Sequence, residues 1–337
     1  MDDKSDLLTA SHKNWQPVNP AVIIEADLRD EVQRNGYAII DFATPDMVSA
    51  LREVYGVHHQ LQHKDGGMFY SVYSNNTHYR QQVHSAIGAI VNDRLNEIFQ
   101  NYRNVLNGFV VKASGSKSGF MIHQDSTALD EFKFTALTVW IALQDTNENN
   151  GCMYVVPKSH HLSSPYRAIT IQPPYKDIEQ TVGEYLRPIR LKSGQALIFD
   201  QRIIHNSSVN QSGKDRLAII SGIFPENAEF ITCYKDSSAS DEIELHKHDE
   251  NYLIEYPKFF YDCHDRPVGS EIIGSVKDDF PPIEEHMFLE FCARNNVLKH
   301  APYEGSTEID FISEPTPVSE AQPSNGIMNR LLNILRI

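Results

Sequence analysis

The segments that carry His123-Gln124-Asp125 and His205-Asn206-Ser207 lie in a closely spaced series of short, β-branched and aromatic runs, and that series leaves few folds open to the chain. Residues 134–144 are rich in Thr, Val, Ile and aromatic side chains and alternate in part, which reads as a strand. Residues 151–157 read as another. Residues 190–200 place a turn at Ser193-Gly194 before an apolar run, and Arg202-Ile203-Ile204-His205 follows directly. After the polar turn at 210–215 the chain resumes as a strand over 216–224. Strands at this spacing predict an all-β sandwich or barrel.

Within such a fold, side chains of one strand alternate between faces, so His123 and Asp125 are expected on one side and Gln124 on the other. A histidine from a neighbouring strand, His205, would complete a facial set of two imidazoles and one carboxylate. That set leaves three metal positions open, the arrangement expected of non-haem Fe(II) oxygenases. A structural zinc site would instead be closed by four protein ligands, typically with cysteine pairs. The four cysteines here, at 152, 233, 263 and 292, form no such pair.

The stretch from about 105 to 225 resembles the phytanoyl-CoA dioxygenase family of Fe(II)/2-oxoglutarate oxygenases. The resemblance rests on Gly119-Phe-Met-Ile-His-Gln-Asp125, Trp140-Ile-Ala-Leu-Gln-Asp145, Asn150-Gly-Cys-Met-Tyr-Val-Val-Pro-Lys-Ser-His160, the run from Gly194 to Asp200, and His205 followed by Arg216. Several motifs in the family's order are far more specific than any one of them. The resemblance implies a mainly β fold: a double-stranded β-helix (jelly-roll or cupin-like) core, braced by N-terminal and C-terminal helices.

It also implies that His123, Asp125 and His205 bind Fe(II), and that Arg216 receives the distal carboxylate of 2-oxoglutarate, with O2 as the second co-substrate. A guanidinium is permanently charged and presents a planar fork to a carboxylate, so an arginine opening a strand beside the metal strand suits that role. Ser207, two residues past His205 and on its face, is placed to donate a hydroxyl hydrogen bond to the same carboxylate. Trp140 stands where the family packs an aromatic side chain near the co-substrate, and Lys112 is a further candidate polar contact. Related halogenases replace the metal carboxylate by Gly or Ala. Asp125 therefore favours hydroxylation of an unactivated C–H bond, with release of succinate and CO2. Cyclisation, desaturation and epoxidation share the same chemistry and stay open.

Other histidines are read outside the site. His160-His161 belongs with the family's Pro-x-Ser-His turn, and His58-His59-x-x-x-His63 and His246-x-His248 are read as polar surface.

The remaining sequence bounds organisation and partners. With 337 residues, 41% of them hydrophobic, one catalytic domain is expected over 1–303. It divides into an N-terminal helical scaffold (1–104), the double-stranded β-helix core (105–225) and a pocket-covering extension (226–303). In the scaffold, residues 35–42 read as a strand, and 44–55 as a helix with Thr44 as N-cap and Pro45 at its first position. Residues 82–102 read as an amphipathic helix and the aromatic stretch 68–80 as an irregular, substrate-facing loop. Residues 304–326, rich in Ser, Pro, Thr and Glu, read as a flexible linker, and 327–337 as an amphipathic helix able to dock on its own domain, to pair in a homodimer or to touch a membrane.

The net charge of −15 argues against nucleic-acid binding. It also disfavours a coenzyme A ester, whose phosphates need a basic patch, so a free small molecule from a biosynthetic or natural-product pathway is the favoured substrate. An acyl-CoA is the alternative within the class. Outside it stand a cupin-like metal enzyme that does not use 2-oxoglutarate and a non-catalytic binding protein. The start Met1-Asp-Asp-Lys-Ser-Asp6 has no signal-peptide pattern and no apolar run approaches a bilayer span, so a cytoplasmic, reducing location is expected.

Overall fold

The computed structural model describes residues 15–58, 67–236, 240–249, 251–255 and 264–300. The linker and helix expected over 304–337, and His59, His63 and Cys263, lie outside the described residues.

Six strands form the larger sheet: β1 (Tyr37–Asp41), β2 (Gly67–Tyr70), β3 (Tyr102–Ala113), β5 (Leu137–Ala142), β8 (Gln195–Asp200) and β10 (Arg216–Pro225), in the order β1-β8-β5-β10-β3-β2. Every pairing in it is antiparallel. The smaller sheet holds β4 (Phe120–His123), β6 (Met153–Val155), β7 (Arg187–Ile189) and β9 (His205–Ser207), in the order β4-β9-β6-β7. After β3 the chain passes back and forth between the two sheets, with β6 and β7 paired next to each other in the smaller one, which makes the expected double-stranded β-helix. Two strands of the larger sheet, β1 and β2, come from outside the 105–225 span assigned to the core.

Alternation decides what each face of the larger sheet meets. Phe109, Val111, Val139, Ile141, Ala196, Ile198 and Ile219 point outward into a core shared with helices α1 (Ala26–Asn35), α2 (Pro45–His58) and α3 (Thr77–Ile98). Helix α3 contributes Val83, Ile87, Val91, Leu95 and Ile98, a stripe at helical spacing. Burying each such side chain stabilises the fold by about 1.5–3 kcal/mol. The intervening residues Tyr37, Val110, Trp140, Leu197, Phe199 and Ala218 point inward, against Met153, Val155 and Ile189 of the smaller sheet.

The outer face of the smaller sheet, with Val156 and Ile204, is covered by Val182 of α4 (Glu179–Gly183) and, beyond the single turn α5 (Tyr252–Glu255), by Phe288 and Cys292 of α6 (Glu285–Asn295). Helices from both ends of the described chain thus brace the two sheets. The extension after β10 builds a third sheet, β11 (Phe230–Tyr234), β12 (Glu242–His248) and β13 (Glu271–Lys277), whose apolar face packs on Tyr166 and Phe132.

Local expectations hold in part. Thr44 caps α2 by accepting from the Met47 amide at 3.2 Å. At the Ser193-Gly194 turn Gly194 has φ +89°, and its carbonyl accepts from the Phe42 and Ala43 amides. A Cβ there would stand 2.4 Å from the Ala43 carbonyl oxygen, so only glycine fits. The aromatic stretch 68–80 is not an irregular loop. Met68 to Tyr70 complete β2, and α3 starts at Thr77 rather than near 82, because the Asn76 side chain accepts from the Tyr79 amide at 3.0 Å and caps it there. His246, expected at the surface, is buried between Ser270 and Glu244, which lie 2.8 and 3.1 Å from its ring nitrogens.

Candidate metal centre

β4 and β9 are antiparallel neighbours that set His123 directly opposite His205, with a bulge before Phe120 meets Ser207. The two rings lie 4.0 Å apart between centroids, flanked by Phe120 on one side and Phe199 on the other. His123 Nδ1 lies 3.0 Å from the Met121 carbonyl, and His205 Nδ1 lies 3.0 Å from the Ile203 carbonyl. A carbonyl only accepts, so each Nδ1 carries the proton and each Nε2 keeps its lone pair for a metal. Those Nε2 atoms stand 3.7 and 3.9 Å from Asp125 Oδ1. One ligand atom from each of the three residues falls within 4.8 Å of the others, close enough for a single ion to be shared. The donor set, two neutral imidazoles and one carboxylate, fits a ferrous ion with open positions.

Asp125 does not reach this position as the sequence suggested. β4 ends at His123, and Asp125 lies beyond it, outside any strand. Its amide donates to the Gln201 carbonyl at 3.0 Å, and its own carbonyl accepts from Arg167 Nε at 2.8 Å. Gln124 does turn away as expected, donating its side-chain amide to the Arg202 carbonyl. Burial pushes the Asp125 carboxyl up, against the pull of His205 and Arg167. Burial also pushes His123 well below the usual imidazole range, and the neighbouring His205 acts in the same direction. A site that favours neutral imidazole favours metal over proton.

Arg216 is not on a strand beside the metal strands. It opens β10 in the larger sheet, and register sets it opposite Lys112 of β3, so both side chains point inward from one face. Both are almost wholly buried, Arg216 at 1% and Lys112 at 0% exposure. Lys112 Nζ donates to Ser207 Oγ at 2.7 Å and to the Ser208 carbonyl at 2.5 Å, and so ties the two sheets together beside His205. The guanidinium lies 4.9 Å over the Trp140 ring, while its Nε and Nη1 have no hydrogen-bond partner. Burial lowers Arg216 to about 10, and burial together with the Arg216 charge pushes Lys112 well below the usual lysine range. Two unpartnered guanidinium donors beside a buried lysine give this end of the site the chemistry to take up an anion. The Lys112 stem needs Gly151, whose φ is +78°: a Cβ there would stand 2.4 Å from Lys112 Cδ.

The structure therefore brings together all seven residues singled out from sequence. His160 stays apart from the metal ligands, with Nε2 2.9 Å from the Gln33 carbonyl. Two neighbours of the site are not singled out by the sequence, although Tyr70 falls within the 68–80 stretch expected to face substrate. Tyr70 of β2 packs its ring 6.1 Å from that of Phe120, and its phenol is raised by burial, with Arg216 pulling it down and Asp125 pushing it up. No sequence signal marks Arg167.

A family model described as phytanoyl-CoA dioxygenase (PhyH) matches residues 32–218. Phytanoyl-CoA dioxygenase 1 of Oryza sativa subsp. japonica is 28% identical over 119 residues, which are 33% of this chain and 41% of that protein. A phytanoyl-CoA dioxygenase domain-containing protein 1 homolog of Dictyostelium discoideum is 27% identical over 151 residues, 42% of this chain and 50% of its own. The matched segments thus span half or less of these relatives' length. Among solved structures, the carbocyclase SnoK from nogalamycin biosynthesis matches at TM-score 0.42 with 18% identity, over 64% of this chain and 90% of its own. HygX from Streptomyces hygroscopicus matches at 0.46 with 13% identity, over 65% and 94%. The family model takes in more than half of the chain, including the three facing ligands, Lys112 and Arg216, and on that ground the chain belongs to the phytanoyl-CoA dioxygenase family.

Proposed function

We propose that the protein is an Fe(II)- and 2-oxoglutarate-dependent dioxygenase that hydroxylates an unactivated C–H bond of a small molecule, releasing succinate and CO2. The observation that carries this reading is the junction of two incomplete half-sites. His123, Asp125 and His205 converge on one point, and the buried, unpartnered Arg216 donors lie beside Lys112, which is hydrogen-bonded to Ser207 two residues from His205.

His123, Asp125 and His205 would hold the ferrous ion. When bound, that ion supplies the activation of O2 coupled to decarboxylation of 2-oxoglutarate. The chain's own residues bind and orient. Arg216 offers Nε and Nη1 to the distal carboxylate, and the Trp140 ring holds the plane of that fork. Lys112 adds the second positive charge and recovers its ordinary protonation once the anion arrives. Ser207 accepts from Lys112 and keeps its own proton to donate to the same carboxylate. The Nδ1 hydrogen bonds of both histidines fix their rings, so the ligand geometry is set before substrate enters. Phe120, Phe199 and Tyr70 line the surround and limit water. Asp125 is present as a carboxylate ligand, which favours hydroxylation over halogenation.

The substrate favoured is a free small molecule, given the net charge of −15. The names of the curated relatives favour a second reading, an acyl-CoA. A reducing, cytoplasmic setting belongs to the proposal because the metal must stay ferrous; no helix among the described residues is long and apolar enough to cross a membrane. The test is succinate formation from 2-oxoglutarate by anaerobically iron-loaded protein on admission of O2, across free small molecules and acyl thioesters. Substrate-stimulated turnover that Asp125→Ala and Arg216→Ala both lose is expected. Iron binding with no succinate under any condition refutes the use of 2-oxoglutarate, and absence of bound iron refutes the oxygenase reading.

A further inference from the structure

Asp125 is the one member of the triad that no strand holds. His123 and His205 are fixed by the β4–β9 pairing, whereas Asp125 follows the end of β4 and lies outside the ladder. Something else must set its backbone, because a carboxylate on a free loop would meet the metal in many geometries. The Asp125 amide is held by the Gln201 carbonyl at 3.0 Å, and the segments 125–127 and 165–167 hold its carbonyl side. Arg167 Nε donates to the Asp125 carbonyl at 2.8 Å, the Thr127 amide donates to the Arg167 carbonyl at 2.9 Å, and the Arg167 amide donates to Thr127 Oγ1 at 2.8 Å. Thr127 Oγ1 in turn donates to the Pro165 carbonyl at 2.9 Å.

The guanidinium that closes this clamp is itself immobilised. Its Nη1 and Nη2 each lie 2.7 Å from one oxygen of Glu131, and Nη1 also reaches Ser163 Oγ at 3.1 Å and the Ser164 carbonyl at 2.6 Å. Arg167 and Glu131 are both buried, at 7% and 3% exposure. A lysine cannot reproduce this fork, since its single nitrogen cannot serve Glu131 and the Asp125 carbonyl in the same geometry.

We infer that Arg167 is a positioning residue for the metal site: braced by Glu131, it fixes the backbone of Asp125 and thereby the direction from which the carboxylate meets the metal. This rests on the metal-binding reading above. Residues that orient metal ligands from behind typically contribute 10–100-fold to metal affinity. The effect should fall on the carboxylate and not on the two histidines.

The test uses the full chain and Co(II) as probe, without 2-oxoglutarate or O2, reading affinity by calorimetry and ligand geometry by the visible absorption of bound Co(II). Arg167→Lys is expected to bind Co(II) about 10–100-fold more weakly, with an absorption spectrum shifted toward that of Asp125→Asn. Thr127→Val, which removes only the hydroxyl of the clamp, should shift both readouts in the same direction by less, and it decides the matter if Arg167→Lys does not fold. A folded Arg167→Lys, or failing that Thr127→Val, with wild-type affinity and spectrum overturns the inference while leaving the metal site standing. Failure of the wild-type protein to bind Co(II) overturns the metal-binding reading itself.

Discussion

Replacing Arg216 by methionine should make the ligand-free protein more stable while abolishing its response to 2-oxoglutarate. The side chain is 1% exposed, and its Nε and Nη1 have no partner. Each unsatisfied buried donor costs about 1–3 kcal/mol, so two cost about 2–6 kcal/mol. Against this stands the stacking on Trp140 at 4.9 Å, a desolvated cation–π contact of about 2 kcal/mol. Methionine keeps much of the length and apolar contact without charge or donors. The net gain expected for Arg216→Met is therefore on the order of 2 kcal/mol, read as an increase in the urea midpoint with unchanged slope. With Mn(II) present and O2 excluded, 2-oxoglutarate at about 100 times its dissociation constant should stabilise the wild-type protein by about 2.7 kcal/mol and the variant by nothing measurable. A variant destabilised by several kcal/mol without ligand would refute the reasoning, since the guanidinium would then be holding the fold. A variant still stabilised by 2-oxoglutarate would refute the role of Arg216.

Lys112 should impose a pH dependence on the ligand-free protein. Burial, then the Arg216 charge, lowers its folded pKa, so between that value and about 10.4 the unfolded chain holds more protons than the folded one. Stability therefore rises with pH through this window and is lost as pH falls; the urea midpoint of Lys112→Met should show a smaller rise from pH 7 to 10 than wild type, and bound 2-oxoglutarate should flatten the wild-type curve. Gly151→Ala should destabilise by about 1–3 kcal/mol from strained φ and overpacking, because the new Cβ stands 2.4 Å from Lys112 Cδ and 2.8 Å from the Ser208 carbonyl oxygen; thermal unfolding and 2-oxoglutarate titration should report both losses. Ile87→Ala in α3, on the far side of the larger sheet, should cost about 2–5 kcal/mol in a urea melt while leaving Co(II) affinity unchanged, so a large change in metal binding would show the two faces to be coupled.

Much of this arrangement could be read from local patterns. Alternation in 216–224 separates Ala218 on the inner face from Ile219 on the helical face, and both sit where period two places them. The capping pattern at Thr44-Pro45 marks the start of α2, whereas Asn76, inside an aromatic and polar stretch without helical spacing, marks the first turn of α3 only through its bond to the Tyr79 amide. Met68 to Tyr70 read as a loop from sequence because three residues carry too little alternation to mark a strand. Pairing with Val110, Val111 and Lys112 across the edge of the sheet makes them one.

The sequence by itself determined the chemistry: two histidines, one carboxylate and one arginine in an order that only a few folds can bring together, on runs whose periodicity makes strands. Tertiary structure decided the geometry. It set Arg216 in the sheet opposite the metal strands, paired it with Lys112 by register, and held Asp125 by Gln201 and Arg167 rather than by a strand ladder of its own. The physical reason is range. Which way a side chain points follows from the backbone period of a few residues, whereas which buried donor finds which acceptor depends on segments that meet only when the sheets close.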